Sequence, residues 1–203
     1  MTLIETRALS KSYRGNLAVD AVDFDIAEGE VHALLGENGA GKSTLTKMIA
    51  GVVPPSSGEI LLDGKPVTFD GPADALKQGI AMVFQETSLV PSMTVAQNLY
   101  LGDEKLLNRL RGVAISAQQF LQSLNFTVDP TATVATLGAA KRQMVEIARA
   151  VRLKARVIIF DEPTATLTPS EAGRLFALIE RMRAEGVTVV YISHKLDEVE
   201  RVT

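Results

Sequence analysis

Apolar and polar positions near the N-terminus alternate in the way that is typical of paired strands. Alternation over residues 20–27, followed by a Glu-Gly turn and the apolar run 31–35, predicts a hairpin over residues 20–35. A second hairpin is predicted where the apolar runs 60–62 and 67–69 flank an Asp-Gly turn. Together these strands predict an antiparallel sheet in the N-terminal part of the chain.

Farther along the chain, short buried strands are separated by helices. The apolar runs 80–84, 157–160 and 187–193 predict strands, and the helices between them indicate a mostly parallel sheet that is covered on both faces. Between residues 94 and 137 helical spacing predominates. That stretch is interpreted as a helical lobe inserted into an α/β core.

One helix carries explicit start and stop signals. Thr168 is a suitable N-cap, Pro169 stands at the first helical position, and Glu171 completes a capping box. Gly186 is a suitable stop for this helix. The sequence therefore predicts a helix that begins just after Thr168 and ends before Gly186.

Composition narrows the class of protein. The chain is 46% hydrophobic and 22% charged, which is typical of a globular protein, and its 203 residues suffice for one domain or for one core with a small attached lobe. A net charge of −3 and a pI near 5.5 argue against a nucleic-acid partner, and the absence of cysteine excludes disulfides and thiolate metal sites. The first seven residues include Glu5 and lack the apolar region of a secretory signal. No apolar run approaches the roughly 20 residues that span a bilayer, so we expect a soluble chain that reaches a membrane only through a partner.

A glycine-rich loop lies between the predicted strand 31–35 and a predicted helix over 42–50. Its backbone N–H groups can surround phosphate groups, and the helix N-terminus adds the positive end of its dipole. Lys42 would reach the β- and γ-phosphates, and the Ser43 hydroxyl would ligate Mg²⁺. The alternative is an ordinary Gly-rich turn, but the strand and helix on either side favour a phosphate loop. The loop follows the pattern G-x-x-x-x-G-K-[ST] and consists of Gly36, Glu37, Asn38, Gly39, Ala40, Gly41, Lys42, Ser43 and Thr44.

Two carboxylates follow the buried strand 157–160. Open α/β sheets bind ligands at the carboxyl ends of their strands, which is where Asp161 and Glu162 stand. Asp161 is then positioned for the Mg²⁺ shell, and Glu162 can polarise the water that attacks the γ-phosphate. A solvated acidic turn is the alternative, but the phosphate loop in the same chain favours a catalytic pair.

The order of these motifs resembles that of ABC ATPase domains, and nearly the whole chain takes part. The phosphate loop, Gln85, the segments 137–143 and 161–168, and His194 follow one another as in that family. The sequences of residues 141–150 and of residues 161–168, Asp-Glu-Pro-Thr-Ala-Thr-Leu-Thr, are similar to those of the monosaccharide-importer branch. The ATPase subunits of that branch carry two such domains in tandem.

The resemblance implies an α/β fold, a P-loop NTPase of ABC type. A RecA-like, mostly parallel sheet would be joined by an N-terminal antiparallel β subdomain and an inserted helical subdomain. Residues 1–86 and 138–203 would form the β and RecA-like core, and residues 87–137 the helical subdomain. The whole of 1–203 is expected to be a single ABC domain that is truncated at its C-terminus.

The resemblance also implies roles for residues that the patterns alone leave open. Tyr13 would stack on the adenine ring, although a partly buried strand tyrosine is the alternative. Gln85 would sense Mg²⁺ and the attacking water and link the core to the helical lobe, whereas without the family it is a loop residue. His194 would contact the γ-phosphate, and its place after a strand favours this over a structural role. His32 is assigned a structural role.

The signature segment departs from the family pattern. Where relatives have Leu-Ser-Gly-Gly-Gln, this chain has Leu137, Gly138, Ala139, Ala140 and Lys141. In the family this helix start faces the γ-phosphate that is bound to an opposing domain. Gly138 keeps the backbone donors and the helix dipole but lacks the serine hydroxyl. Ala140 replaces a glycine that permits close approach. The site that this signature completes is therefore predicted to be the weaker of two composite sites.

The function implied by the resemblance is ATP-driven import, with ATP and Mg²⁺ as cofactors. The expected partners are a second ABC domain, in tandem or as a homodimer, an integral membrane permease and, indirectly, a periplasmic solute-binding protein. The expected location is the cytoplasmic side of the bacterial inner membrane. One alternative is a non-transport ABC ATPase of the DNA-repair or translation type, which the acidic pI and the absence of long coiled-coil heptads disfavour. A P-loop kinase is a further alternative, and no acceptor pocket or lid is visible for it.

Overall fold

The computed structural model describes residues 1–37, 39–84, 88–102 and 110–202. A 3₁₀ turn lies at Val134–Thr136. The strands are β1 (Thr2–Tyr13), β2 (Asn16–Ala27), β3 (Val31–Leu35), β4 (Ser57–Leu62), β5 (Lys65–Val67), β6 (Ile80–Val83), β7 (Val157–Asp161) and β8 (Thr188–Ser193). The helices are α1 (Lys42–Ile49), α2 (Pro72–Lys77), α3 (Val95–Leu99), α4 (Leu110–Ser123), α5 (Ala139–Arg152), α6 (Pro169–Ala184) and α7 (Leu196–Val202).

The N-terminal strands form an antiparallel sheet of order β2-β1-β4-β5. The β1–β2 connection places Arg14 at φ 51° and Gly15 at φ 87°, two successive left-handed residues that suit the twist of a hairpin. Asp63 and Gly64 do the same between β4 and β5, at φ 51° and 72°. The predicted Asp-Gly hairpin is thus confirmed, and its second strand covers 65–67 instead of 67–69.

The predicted hairpin over residues 20–35 is wrong. β2 pairs with β1 along its length, and β3 lies in the other sheet, parallel to β8. The Glu-Gly turn does form, with Gly29 at φ 74°, but its backbone N–H donates to the Thr188 hydroxyl at 2.8 Å. The alternating pattern of β2 suits a half-buried antiparallel sheet, whereas the continuous apolar run of β3 suits a parallel one.

The second sheet has the order β3-β8-β7-β6. Its predicted strands are confirmed within one or two residues, and every residue of β7 and β8 is buried. The parallel register sets Leu35 beside Ser193 and Asp161 beside Ile192. The residues that follow β3, β7 and β8 therefore emerge at one edge of the sheet.

The chain divides into two compact units. The first comprises Met1–Met82, Ala155–Glu162 and Ile179–Thr203, and the second comprises Val83–Lys154 and Pro163–Leu178. In the first unit, apolar side chains from both sheets and α1 form one core. It includes Ile4, Leu9, Ile26, Met48, Ile49, Ile60, Ile80, Val157 and Ile159.

The second unit is built around helices. α3 contacts α4 and α5, and buried residues such as Leu99 and Leu121 contribute to its interior. The helical spacing predicted within residues 94–137 is confirmed by α3 and α4. Among the described residues, no helix is both long and apolar enough to cross a membrane.

The predicted capping of α6 is confirmed. Glu171 Oε2 accepts a hydrogen bond from the Thr168 backbone N–H at 2.8 Å, and the Glu171 N–H donates to the Thr168 hydroxyl at 3.4 Å. Gly186, at φ 83°, lies just beyond the end of the helix. These signals were readable because each of them acts within a few residues.

Candidate active site

The phosphate loop connects β3 to α1 and folds over its own lysine. The Lys42 ammonium donates to the backbone carbonyl of Gly36 at 2.7 Å and to that of Glu37 at 2.9 Å. Gly39 and Gly41 adopt left-handed conformations at φ 87° and 86°. The Lys42 ammonium therefore stands beside the residues that would surround a phosphate group.

Gly41 is also the point at which the β1–β2 hairpin lies against the loop. A Cβ atom at Gly41 would stand 2.5 Å from the Ala18 carbonyl oxygen. Ala18 is close to the hairpin end, where Tyr13 pairs with Asn16. The Tyr13 side chain is 44% exposed, with the Lys11 ammonium 5.3 Å from its ring centroid. The ring, at the last residue of β1, is exposed enough to stack on a base.

Ser43 and Asp161 meet at the start of α1. The Ser43 hydroxyl donates to Asp161 Oδ1 at 3.0 Å, and Asp161 is buried. Burial raises the pKa of Asp161, and nearby Glu162 adds to this, while the Ser43 hydrogen bond and the two lysines Lys47 and Lys42 oppose it. A hydroxyl beside a carboxylate is an oxygen pair of the kind that Mg²⁺ binds together with phosphate oxygens and water.

Ser43 and Asp161 are the side chains of this site that could hold a divalent cation together with a bound phosphate. Among the described residues, no group of three or more histidine or carboxylate side chains could hold a metal ion. Ser43 and Asp161 supply two oxygens, and Mg²⁺ characteristically takes its remaining ligands from substrate phosphates and water. The arrangement therefore suits a phosphate-bearing substrate that binds with Mg²⁺.

Replacement of Asp161 by asparagine is expected to stabilise the chain without nucleotide and to remove its stabilisation by MgATP. Because the folded-state pKa is raised above 3.8, the ionised carboxylate lowers the free energy of unfolding at pH 7, and this loss is relieved as pH falls toward 3.8. Urea unfolding at pH 7 measures both effects. MgATP at a hundredfold excess over Kd should stabilise the unmodified chain by about 2.7 kcal/mol and the variant by much less.

The control for this prediction is ATP with EDTA, under which the two proteins should respond alike. A variant that is less stable than the unmodified chain in the absence of nucleotide would contradict the unfavourable burial of the Asp161 carboxylate.

Glu162 stands in a left-handed conformation at the end of β7. Its φ is 45°, and its backbone N–H donates to the Ile192 carbonyl of β8 at 3.1 Å. A non-glycine residue with positive φ is unfavourable by about 1–3 kcal/mol, so the surroundings must hold it there. Its carboxylate Oε1 lies 3.1 Å from Nδ1 of His194, which is half exposed. The parallel register brings these two residues together at the sheet edge beside the phosphate loop.

The signature segment lies in the second unit, whereas the loop, Asp161, Glu162 and His194 lie in the first. Gly138 is the N-cap of α5 and makes no side-chain cap, and its carbonyl accepts the Arg142 N–H at 3.1 Å. Gly138, Ala139 and Lys141 are exposed, while Leu137 and Ala140 are partly buried.

Two of the expected site residues, Asn38 and Gln85, lie outside the described residues. His32 keeps its structural assignment: its Nδ1 lies 2.7 Å from Glu30 Oε1, and its ring packs edge-on against Phe24 with centroids 4.8 Å apart. Sequence reasoning missed the buried Glu198 and its hydrogen-bonding partners, because an acid in the first turn of a short helix carries no signal of burial.

Comparison with known proteins places this arrangement in a family. The ABC transporter family model matches residues 19–165. A ribose import ATP-binding protein of Rubrobacter xylanophilus is 50% identical over 99% of this chain, which covers 42% of that protein. A putative ribose/galactose/methyl galactoside import ATP-binding protein of Albidiferax ferrireducens is 47% identical over 99% of the chain and 41% of its own length. The chain thus spans about two fifths of the length of these relatives.

Solved structures agree with this assignment. A nucleotide-free ATP-binding cassette from an ABC transporter aligns with a TM-score of 0.85 and 27% identity, over 100% of this chain and 85% of that one. The ADP conformation of another cassette aligns with a TM-score of 0.81 and 27% identity, over 98% and 84% of the two chains. With the family model, the fold and the phosphate loop in agreement, the chain belongs to the ABC transporter family as one of its ATP-binding ATPase domains.

Proposed function

We propose that this domain hydrolyses MgATP at a head-to-tail interface with a second ABC domain and so drives solute import, of a monosaccharide, through a membrane permease. The observation that carries the proposal is the convergence of three features at one sheet edge. These are the Lys42 ammonium over the loop, the Ser43–Asp161 pair and the Glu162–His194 pair. Each supplies a separate requirement of phosphoryl transfer to water.

In this proposal the residues of the loop bind the triphosphate. Lys42 exchanges the carbonyls of Gly36 and Glu37 for the β- and γ-phosphate oxygens, and backbone N–H groups of the loop surround the phosphates. Ser43 and Asp161, together with Gln85, would hold Mg²⁺, which would neutralise the charge that develops on the phosphates. Tyr13 stacks on the adenine ring.

Hydrolysis then needs a base and an orienting group. The oxygen of the attacking water bonds to the γ-phosphorus while the bond between that phosphorus and the ADP oxygen breaks. Glu162 accepts the proton that the water loses. His194 contacts Glu162 through Nδ1, so its Nε2 is the ring nitrogen that contacts the γ-phosphate. The hydrogen bond between Glu162 and His194 gives both side chains a defined direction before substrate binds.

The second ABC domain is supplied either by a longer chain in tandem or by another copy of this one. Its signature would face the γ-phosphate of this domain, and the exposed start of α5 at Gly138 and Lys141 would face the nucleotide of the other. Loss of the γ-phosphate removes a group that both domains hold, so the pair opens.

The import role is supported by the names of the relatives, which are import ATP-binding proteins for ribose and galactose-type sugars. The proposal places the domain on the cytoplasmic side of the bacterial inner membrane. Its partners there are an integral permease and, indirectly, a periplasmic solute-binding protein, with no nucleic acid. The net charge of −3 agrees with the absence of a nucleic-acid partner.

The test is the release of phosphate from MgATP over a range of protein concentrations. If two domains share each nucleotide, the rate per molecule should rise with concentration and then level off. If the rate per molecule stayed constant on dilution to concentrations at which light scattering shows a monomer, that result would contradict the shared interface. Reconstitution with a candidate permease in vesicles tests transport separately.

Substitution of Gly138 by serine is expected to raise ATP turnover of the assembled pair by about tenfold or more. The added hydroxyl would donate a hydrogen bond to the γ-phosphate across the interface, an interaction worth about 1.5–3 kcal/mol to a charged group. The measurement is kcat at saturating protein. The matched control is Gly173→Ser, on α6, where an added Cβ also meets nothing. Equal turnover in Gly138→Ser and in the unmodified chain would contradict a weakened signature.

A further inference from the structure

A buried carboxylate that the proposed hydrolysis does not use lies on α7. Glu198 is 7% exposed, and a buried carboxylate is strongly unfavourable unless hydrogen bonds compensate. Both of its oxygens have donors. Oε2 accepts from the hydroxyls of Tyr191 and Ser193, each at 2.9 Å, and Oε1 accepts from the Lys195 ammonium at 2.8 Å.

Two of these donors flank His194. The Ser193 oxygen donates its proton to Glu198 and at the same time accepts the Lys195 backbone N–H at 3.1 Å. Because a hydroxyl has one proton, donation to the carboxylate turns its lone pairs toward Lys195. The carboxylate also raises the pKa of Lys195, chiefly by its hydrogen bond to the ammonium. Glu198 therefore holds both the side chain of Lys195 and, through Ser193, its backbone.

The backbone turn closed in this way carries His194. Its imidazole is half exposed, and the backbone sets the point from which the ring reaches Glu162. Glu162, at the end of β7, is anchored to β8 two residues before His194, because its backbone N–H donates to the Ile192 carbonyl. The 3.1 Å distance between His194 Nδ1 and Glu162 Oε1 thus depends on the backbone from Ile192 to Lys195.

We propose that Glu198 is a positioning residue for ATP hydrolysis, which acts through Ser193 and Lys195 to hold the His194 imidazole against Glu162. The inference rests on the proposed function of Glu162 and His194. It predicts that loss of the hydrogen bonds to Glu198 leaves nucleotide binding intact and lowers the rate of the hydrolysis step. A displacement of a catalytic group by about 1 Å can lower a rate about a hundredfold.

The test combines a spectroscopic readout with kinetics. The chain has two histidines, His32 and His194, so its imidazole NMR resonances come from two side chains. His32, hydrogen-bonded to Glu30, is the internal reference. In Ser193→Ala the His194 resonances should shift and broaden while those of His32 stay in place. The kcat should fall at least about tenfold, with KM for ATP within about twofold.

Glu198→Ala should give the same changes in the His194 resonances and in kcat, and its thermal midpoint Tm shows whether the variant folds. If Glu198→Ala does not fold, Ser193→Ala still tests the inference. The matched control is Thr6→Val, which removes another buried hydroxyl of the first unit, the donor to the Val22 carbonyl at 3.0 Å. It should lower Tm comparably while the His194 resonances and kcat remain unchanged.

Unchanged His194 resonances in both network variants would overturn the positioning role, whatever the turnover. A kcat loss in Thr6→Val that matches that of Ser193→Ala would overturn it as well, because general destabilisation would then suffice. A His194→Ala variant with full turnover would instead overturn the proposed role of His194 in hydrolysis. The failure of the positioning role and that of the proposed function are therefore distinguishable.

Discussion

Replacement of Glu162 by glutamine should lower the kcat for ATP hydrolysis at least about a hundredfold while ATP still binds. Glutamine keeps the shape of the side chain and can still hydrogen-bond to His194, but it cannot accept a proton from the attacking water. The Lys42 and Ser43 hydrogen bonds run to Gly36, Glu37 and Asp161 and do not involve Glu162, so nucleotide affinity should change little. Phosphate release and the Kd of a fluorescent ATP analogue measure the two effects.

The control for this prediction is Glu180→Gln, which makes the same change at an exposed position of α6 in the same unit. It should leave kcat and Kd unchanged. Turnover of Glu162→Gln within a few-fold of the unmodified chain would assign the base to another group. If ATP affinity and kcat fell together, Glu162 would be holding the loop instead of the water.

Gly41→Ala should be the most destabilising single change in the phosphate loop. Alanine at φ 86° is unfavourable by about 1–2 kcal/mol, and its methyl group would also stand 2.5 Å from the Ala18 carbonyl. Backbone must move to relieve that contact, so the free energy of unfolding should fall by about 3 kcal/mol or more. ATP affinity should fall as well, because the hairpin that carries Tyr13 is displaced from the loop.

Gly39→Ala is the matched control. Its φ of 87° is nearly that of Gly41, but a Cβ atom there meets nothing within 4 Å. Urea unfolding should therefore show a loss of about 1–2 kcal/mol, from the left-handed conformation alone. Equal losses in the two variants would contradict the close approach of β2 to the loop, since the steric contact would then contribute nothing measurable.

Features whose causes lie within a few residues could be predicted from the sequence alone. The phosphate loop was recognisable because its glycines, Lys42 and Ser43 act as one contiguous segment. The capping of α6 by Thr168 and Glu171 involves residues three apart. The buried strands β7 and β8 are continuous apolar runs, so their existence and the position of Asp161 and Glu162 at a strand end followed directly.

Only the tertiary structure decided which of these segments meet. The partner of β3 could not be predicted, because an adjacent strand and a distant one both satisfy its apolar pattern, and β8 lies more than 150 residues away. Ser43 and Asp161 are separated by 118 residues, and Glu162 and His194 by 32. Glu198 resembles any exposed helical acid until the fold surrounds it with donors. Local sequence determines backbone preference and burial tendency, whereas hydrogen-bond partners and pKa shifts arise from desolvation and contact that exist only once distant segments have packed.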